Sequence, residues 1–364
     1  MAFLVICVLG CLSGFLIFRK NVIPRSADQA LNDVKLSIII PARNEADNLP
    51  HLLHALKIQT LVPHEIIVVD DFSVDDTRAI AESYGVKVIA NASLPEGWTG
   101  KNWAVWNGYA HATGDLIAFL DADIRFAPRA LELLVKARNK LGGVLSIVPY
   151  HYTEKWFEKL ALIFNVLGVY AFTSPFEKNN SQKGLYGSCI LTTREDYELI
   201  KGHEGIKSEM LDDLNLGATY AKAGIPVNNF IGYGLVSFRM YPSGLKSQIQ
   251  GFGKGAVLGT SKLKAGTLTL TAIWVIGLLL SSAFPFLLDT SWGLPLLIGY
   301  LLYMAQLFYF VKYVGIFGIV MPVLHVVSTL FFIMVMLYSM YQVVFLGHVA
   351  WKGRHVKVGS RRER

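Results

Sequence analysis

Short apolar runs alternate with amphipathic stretches between residue 35 and about residue 255 of the chain. The runs are rich in β-branched residues and bounded by polar or turn residues, which is typical of strands. They read LSIIIP, EIIVVD, VKVIA and LIAFLD (36–41, 65–70, 86–90 and 116–121). The stretches between them predict helices over 46–59, 74–84 and 102–112. Because the strands are hydrophobic on both faces, the pattern predicts an α/β fold with a mostly parallel sheet.

The first 18 residues form a nearly uncharged apolar segment, followed by Arg19, Lys20 and Arg25. A cleaved signal peptide is one interpretation, but signal peptides carry their positive charge before the apolar stretch. Here the charge follows it, so we expect a retained transmembrane anchor over 1–18 whose C-terminal side faces the cytoplasm.

Apolar segments return after the α/β region, and they predict a transmembrane region over 267–347. Residues 267–288 and 293–311 each approach the roughly 20 apolar residues of a spanning helix. Residues 314–346 are too long for one untilted span and short for two. A cytoplasmic domain and a cytoplasmic tail require an even number of spans between them, and whether there are two or four stays open. We expect a short or re-entrant piece followed by a full span, with the break at Gly315, Gly318 and Pro322.

The C-terminal tail, 351–364, is strongly basic, which predicts that it lies in the cytoplasm. The sequence therefore predicts a multi-pass protein of the cell membrane with a cytoplasmic α/β domain over 35–255. Within that domain, residues 156–172 are apolar but begin with Glu158 and Lys159. An interfacial helix or an apolar acceptor cleft is favoured there over a further span.

Composition agrees with a membrane protein and excludes other classes. The chain is 53% hydrophobic with a mean hydropathy of +0.41. Part of its net charge of +7 lies at the membrane-flanking ends, where anionic headgroups explain it better than nucleic acid. Three cysteines without C-x-x-C spacing give no disulfide framework and no zinc site, and Cys189 is expected to be a small buried residue rather than a nucleophile.

Acidic and basic residues follow three of the predicted strands. Ala42-Arg43-Asn44-Glu45 follows the first strand, Asp70-Asp71 ends the second, and Asp121-Ala122-Asp123 ends the fourth. In parallel α/β sheets, ligands bind beyond the carboxyl ends of the strands. A solvated rim would explain any one of these acids, but three strands that end this way predict a binding site.

Asp121 and Asp123 are spaced i, i+2 at an extended strand end, so their carboxylates point to the same side. Two ionised carboxylates would repel each other and raise one pKa. A hard divalent cation, Mg²⁺ or Mn²⁺, removes that conflict and also binds phosphate oxygens. The pair therefore predicts a metal that carries a diphosphate.

The segments around this pair offer further ligands. Asp70 and Asp71 are candidates for contacts to a base or a ribose, although Asp71 is as well explained as a cap of the next helix. In GWTGKNWA (97–104), backbone N–H groups and Lys101 open a helix where they are able to meet phosphate. A solvated lysine is the alternative, and the motif lacks the pattern of a Walker A loop.

Two more groups lie further along the chain. Asp212 and Asp213 are adjacent acids, which push one pKa upward as a general base requires, or which simply occupy a helix N-terminus. Arg239 and Lys254 precede the first C-terminal span. They are candidates for neutralising a leaving diphosphate, but for Lys254 a juxtamembrane cation is the default.

The motifs SIIIPARNE, VVDDFSVDDT, GWTGKNWA, FLDAD and LDDLNLG, in this order, resemble family 2 glycosyltransferases with the GT-A fold. The resemblance covers about 35–255. Within the family, LPEGWTGKNWA, FRMYPSG and the flanking apolar segments look most like membrane-bound carotenoid-acid (4,4'-diaponeurosporenoate) glucosyltransferases and hopanoid-associated glycosyltransferases.

The resemblance implies a role for each matching residue. It places Pro41, Arg43, Glu45, Asp71, Lys101 and Asp121 in the nucleotide-sugar site, and from the residues themselves we also expect Asp70 and Lys254 there. Asp121 and Asp123 hold Mg²⁺ or Mn²⁺. Asp213 is the base, Asp212 lies beside it, and Arg239 stabilises the leaving group. The expected partners are a UDP-sugar donor, a lipid or carotenoid-acid acceptor and the membrane, without nucleic acid.

The expected reaction is an inverting transfer of a single sugar, with glucose as the family-level donor. Whether the acceptor is a carboxylic acid or an alcohol stays open. A processive or oligosaccharide-building synthase is an alternative, but the Q-x-x-R-W signature of processive enzymes is not intact around Gln250. A non-catalytic scaffold is disfavoured because every expected catalytic position has an acceptable residue. A transporter is disfavoured because the middle of the C-terminal spans lacks charge.

Overall fold

The structure is a computed structural model that describes residues 1–24, 31, 33–209, 211–259, 262–346, 348–351 and 354–357. The chain forms two compact units. The α/β unit comprises Lys20–Tyr150 and Asn179–Phe238, and the helical unit comprises Met1–Arg19, His151–Lys178 and Arg239–Arg364. The sequence-based domain limits stay a prediction, and 358–364 of the predicted tail lies outside the described residues.

The α/β unit is built on a seven-stranded sheet. Its strands are β1 (Leu36–Ala42), β2 (Glu65–Asp70), β3 (Lys87–Ala90), β4 (Leu116–Leu120), β6 (Val144–Val148), β8 (Cys189–Thr193) and β9 (Val227–Ile231). Their order is β3-β2-β1-β4-β8-β6-β9. The first four are the strands that the apolar runs predict. Only β8 runs antiparallel to its neighbours, β4 and β6, so the predicted α/β fold with a mostly parallel sheet is confirmed.

The helices of this unit pack on the sheet because one face of each is apolar. They are α2 (Leu49–Lys57), α3 (Thr77–Ser83), α4 (Gly100–Ala110), α5 (Ala130–Leu141), α7 (Arg194–Leu199), α8 (Asp212–Lys222) and a 3₁₀ helix (Gly202–Ile206). The first three are the predicted helices: α2 and α3 are shorter than their apolar patterns, and α4 has the predicted length but begins and ends two residues earlier. The core between them includes Ile39, Ile67 and Tyr197, all fully buried. Cys189 is 1% exposed, as expected for a small buried residue.

A second, small sheet contains β5 (Ile124–Phe126), β10 (Val236–Phe238) and the two-residue strand β7 (Tyr150–His151). Strands β5 and β10 are antiparallel. Because β5 begins directly after Asp123, the chain turns sharply between the end of β4 and the start of β5. That turn carries the Asp121-Ala122-Asp123 motif.

The helical unit contains the apolar segments. Its elements are α1 (Ala2–Ile17), a 3₁₀ helix (Trp156–Ala161), α6 (Leu162–Thr173), α9 (Leu245–Gly259), α10 (Ala265–Ser282), α11 (Gly293–Val314), α12 (Val320–Val323), α13 (His325–Tyr341), a π-helix (Gln342–Leu346) and an antiparallel hairpin of β11 (His348–Trp351) and β12 (Arg354–Lys357).

Three helical segments among the described residues are long and apolar enough to cross a membrane: Trp156–Glu177, Ala265–Phe286 and Gly293–Val314. The apolar helices α1 and α13 are shorter, with 16 and 17 residues. The long C-terminal segment breaks where the sequence predicts. Helix α11 ends at Val314, the backbone turns through Gly318 at a φ of 70°, and four-residue α12 precedes α13.

Candidate active site

The carboxyl ends of β1, β2 and β4 meet at one edge of the sheet because these three strands are parallel neighbours. The register places Ala42 beside Asp70 and Ile39 beside Phe119. The residues that follow the strands therefore gather where the sequence predicts a site.

Five of the predicted residues, from four separate segments, line a single cleft, here called the acidic cleft. Its empty volume, including the open mouth, is about 290 Å³. The lining residues are Pro41, Lys101, Val105, Phe119, Leu120, Asp121, Gly187, Ile190, His203, Asp212 and Asp213. All of them belong to the α/β unit.

Lys101 is the cation of the acidic cleft. Its Nζ lies 2.9 Å from Asp121 Oδ1 and 4.0 Å from Asp212 Oδ2. Burial alone would lower the pKa of this ammonium, but the surrounding carboxylates raise it, so Lys101 is charged at neutral pH. It lies in the first turn of α4, whose N-cap Thr99 accepts a hydrogen bond from the backbone N–H of Asn102. The helix N-terminus and the ammonium together favour an anion.

Asp123 is the group in the site whose charge is least satisfied. Its Oδ1 is buried without a hydrogen-bond partner. Desolvation, Asp121 and Glu45 together raise the pKa of Asp123 to about 7. Glu45 is held in place by Asn48, whose side-chain amide donates to Glu45 Oε2 at 2.8 Å.

These acids are compatible with a divalent metal. Among the described residues no three His, Cys, Asp or Glu side chains converge as a complete metal cage. A Mg²⁺ or Mn²⁺ site that takes one or two carboxylates and completes its shell with phosphate and water does not require one. The orphaned Oδ1 of Asp123, beside the carboxylate of Asp121, provides such an incomplete ligand set.

Asp213 is held firmly at the other side of the cleft. Its Oδ2 accepts a hydrogen bond from the backbone N–H of Gly187 at 3.0 Å, and its Oδ1 accepts one from the N–H of Leu214 at 2.9 Å. Desolvation, followed by the charge of Asp212, raises the pKa of Asp213 to about 6. Such a carboxylate is mostly ionised at neutral pH and basic enough to take a proton.

The two acids that end β2 have separate environments. Asp70 Oδ1 accepts from the backbone N–H of Ser73 at 3.2 Å, which stabilises the turn before α3. Asp71 Oδ1 accepts from the side-chain amide of Asn91 at 3.0 Å, and its Oδ2 lies 4.0 Å from the guanidinium of Arg43. Asp71 therefore does not cap α3, and the half-exposed Arg43 is available to a ligand beside it.

Arg239 and Lys254 lie in the helical unit. The guanidinium of Arg239 contacts Glu154 at 2.6 Å and Glu158 at 2.7 Å, and Glu158 is fully buried. The sequence suggested neither of these partners. Lys254 lies on α9, but its side chain is outside the described residues. The roles of both cations stay predictions.

Sequence reasoning missed three residues that shape the site. Gly187 precedes β8, and a Cβ there would lie 3.0 Å from Asp213 Oδ2, so the close approach favours glycine. Asn102 donates through its side-chain amide to the backbone carbonyls of Ile206, Lys207 and Glu209, which ties α4 to the segment before Asp212. His203 lines the cleft directly. The available signal for Gly187 is a glycine before a strand. Asn102 and His203 contact parts of the site that are far away along the chain, so local sequence gives no signal for them.

Comparison with known proteins agrees with this geometry. The family model described as Glycosyl transferase family 2 matches residues 37–200. The 4,4'-diaponeurosporenoate glycosyltransferase of Staphylococcus aureus (strain MRSA252) is 32% identical over 369 residues, which cover 98% of this chain and 97% of the relative. The protein of the same name from strain USA300 is 32% identical over 366 residues, with the same coverage.

Among solved structures, the mannosyltransferase PcManGT from Pyrobaculum calidifontis, in complex with GDP-Man and Mn²⁺, is similar in fold. The TM-score is 0.53 at 17% sequence identity, and the match covers 84% of this chain and 94% of that one. The fold is therefore the GT-A fold. With near-complete coverage by relatives that are 32% identical, the chain belongs to glycosyltransferase family 2.

Proposed function

We propose that the protein transfers a single glucose from UDP-glucose to an apolar membrane acceptor that carries a carboxylic acid, with inversion at the anomeric carbon. The observation that carries the proposal is the acidic cleft, where Lys101, Asp121 and Asp213 lie together. It combines an anion-binding helix N-terminus with a carboxylate whose pKa is raised to about 6. The acceptor class follows the name of the Staphylococcus aureus relative, which is 32% identical.

The donor is proposed to bind along the strand ends. Arg43, Glu45, Asp70 and Asp71 provide polar groups for the nucleoside at the ends of β1 and β2. Lys101 and the first turn of α4 bind the diphosphate, where charge develops as it leaves. Pro41 lines the same cleft.

Asp121 and Asp123 are the residues that would hold Mg²⁺ or Mn²⁺. The proposed metal would neutralise the diphosphate and stabilise its departure as a leaving group. The Mn²⁺ in the PcManGT complex supports the choice of a divalent metal. Arg239 is proposed to assist the leaving group, and Lys254 to bind the nucleotide sugar.

The transfer forms a bond between the acceptor oxygen and the anomeric carbon while the bond from that carbon to the diphosphate oxygen breaks. The electron pair of the broken bond leaves with UDP. If the acceptor is an alcohol, Asp213 takes its proton. If the acceptor is a carboxylic acid, it is already ionised at neutral pH, and no proton needs to be removed. Asp213 then has no role as a base.

The proposed setting is the cell membrane, with several spans and the α/β unit in the cytoplasm. Three helical segments in the described part of the chain are long and apolar enough to cross a membrane. The charges that follow α1, Arg19 and Lys20, favour a cytoplasmic location for the chain after that helix. A UDP-sugar donor is compatible with that side.

The test uses purified protein in nanodiscs with UDP-glucose, Mn²⁺ and 4,4'-diaponeurosporenoic acid, read by mass spectrometry. The expected product is the acceptor plus one hexose. The double variant Asp121→Ala/Asp123→Ala is the control and should give no product. Chains of several hexoses would contradict single transfer, and turnover in the double variant would contradict the assigned metal site.

A further inference from the structure

The imidazole of His203 lies between the core and the acidic cleft. It is 3% exposed, and its ring packs against Phe119 and Tyr197 with centroids 5.3 Å and 5.8 Å apart. The preceding Gly202 has a φ of 43°, and a Cβ there would collide with the ring of Tyr197. Glycine therefore lets the chain wrap closely around Tyr197, which fixes the position of His203.

The hydrogen bonds around Tyr197 determine which nitrogen of His203 carries the proton. The backbone N–H of His203 donates to the Tyr197 hydroxyl oxygen at 3.0 Å, and that oxygen lies 2.8 Å from His203 Nδ1. Tyr197 is fully buried, and the structure gives its hydroxyl no other hydrogen-bond partner among the described residues. If Nδ1 carried the proton, the Tyr197 O–H would have no acceptor, which is costly for a buried group. The Tyr197 O–H therefore donates to Nδ1, and the proton of the neutral ring lies on Nε2.

The Nε2–H group is a free hydrogen-bond donor at the cleft. Within the described part of the chain Nε2 has no hydrogen-bond partner, and it is not among the fully enclosed polar atoms without one. His203 is one of the residues that line the acidic cleft, so this cleft is the space to which the incompletely enclosed Nε2 is expected to open. Burial lowers the pKa of the imidazole to about 4, although Asp212 acts to raise it, so the ring is neutral at pH 7.

We propose that His203 is a specificity-determining residue whose Nε2–H donates a hydrogen bond to one hydroxyl of the transferred sugar. This inference rests on the proposed function. The sugar of a bound donor lies between the diphosphate, near Lys101 and Asp121, and the group that meets the acceptor, Asp213. The cleft joins all three side chains to His203. The neutral Nε2–H group is a suitable hydrogen-bond donor to a neutral hydroxyl, whereas the cationic Lys101 is the group that binds the diphosphate.

The test that needs no change to the protein uses UDP-glucose and its 2-, 3-, 4- and 6-deoxy analogues in nanodiscs. Loss of one hydrogen bond that leaves a buried polar group unpaired lowers kcat/KM by about tenfold to a hundredfold. We expect His203→Phe, which retains aromatic packing against Phe119 and Tyr197, to show this loss with UDP-glucose. With one of the deoxy donors the variant and the wild type should differ by less than about threefold.

Binding measurements separate this contact from a structural effect. Calorimetry should show that His203→Phe binds UDP as the wild type does, while the extra affinity of UDP-glucose over UDP falls. His203→Gln, which places an amide N–H near the same position, should restore part of that affinity. Tyr197→Phe is the matched control: it keeps the imidazole but removes the O–H that fixes the tautomer, so its loss should be smaller than that of His203→Phe.

Two results would overturn the inference. One is an equal loss with all four deoxy donors, and the other is a fall in UDP affinity as large as the fall in UDP-glucose affinity. The proposed function is judged separately. Wild-type turnover of UDP-glucose reports on the donor, whereas the pattern of the variant among the analogues reports on His203. If the wild type binds UDP but gains nothing from glucose, the donor assignment and the contact with glucose are both wrong.

Discussion

The proposed base role of Asp213 predicts that the rate of transfer to an alcohol depends on pH, because burial and neighbouring charges set the pKa of this carboxyl. A base works when it is deprotonated. With a pKa of about 6, Asp213 is ionised in about one molecule in eleven at pH 5 and in about ten in eleven at pH 7. We therefore expect kcat/KM for an alcohol acceptor to rise about tenfold between pH 5 and pH 7.

Two variants should move this rise in opposite directions. Asp212 raises the pKa of Asp213, and Lys101 lowers it. Asp212→Asn should therefore shift the acid limb of the profile to lower pH, and Lys101→Met should shift it to higher pH. Both changes leave the hydrogen bonds from Gly187 and Leu214 to Asp213 in place. The matched pair thus separates an electrostatic effect from a general loss of structure.

The assay compares 4,4'-diaponeurosporenoic acid with the corresponding primary alcohol across pH 4.5 to 8, as initial rates at low donor concentration. For the alcohol, Asp213→Asn should lower kcat by about a hundredfold or more, because a positioned base contributes that much. For the acid, the loss should be mild and the limb near pH 6 should be absent. The reasoning is refuted if Asp212→Asn and Lys101→Met leave the limb of the alcohol profile unmoved.

Three further predictions concern stability and the metal. The pKa of Asp213 is raised above its unfolded value of 3.8, so the contribution of this carboxyl to folding stability is fully present below about pH 4 and is lost as pH rises through about 6. Thermal unfolding in detergent should therefore show that Asp213→Asn gains stability relative to the wild type over that pH interval. Arg239→Met should lower the stability of the folded protein by about 3 kcal/mol in the same assay, because the fully buried Glu158 loses its cationic partner. The proposed role of Arg239 at the leaving group predicts that Glu158→Gln retains more transfer activity than Arg239→Met, and equal activity would refute that role. Chelation of divalent cations should abolish transfer, and Asp123→Asn should raise the Mn²⁺ concentration that restores half of it; activity in excess chelator would exclude the metal.

Local sequence patterns are sufficient to predict strands β1 to β4, and the ends of three of these strands carry residues of the site. Strands β1 to β4 are short runs of β-branched residues between polar boundaries, and each forms where its pattern places it. The rule that ligands bind at the carboxyl ends of parallel strands then placed Asp70 and Asp121 at one edge. Nothing beyond period, length and flanking residues was needed.

The other half of the sheet depends on contacts that no local pattern records. Strand β8 inserts antiparallel between β4 and β6, and it begins near Ser188, whose carbonyl accepts from the N–H of Asp121 at 2.9 Å. That placement brings Gly187 to Asp213, 26 residues away in sequence. The pairing of Lys101 with Asp212 likewise joins segments separated by more than a hundred residues. Such partners are chosen by the packing of the whole unit.

The balance of charge in the acidic cleft supports a metal-dependent donor site. Asp121, Asp212 and Asp213 line the cleft and Asp123 interacts with Asp121, which gives four carboxylates, and the ammonium of Lys101 pairs with those of Asp121 and Asp212. The protein tolerates this excess partly by holding the pKa of Asp123 near 7 and that of Asp213 near 6, so neither is always charged. A diphosphate brings further negative charge and would be repelled by the same acids. A divalent cation bound together with the diphosphate would remove both conflicts, since Asp123 would hold it through its orphaned oxygen and its charge would neutralise the phosphates. The affinity of the protein for the whole nucleotide sugar should therefore depend strongly on Mn²⁺. The part of that affinity that comes from contacts with the uncharged sugar should depend on Mn²⁺ far less.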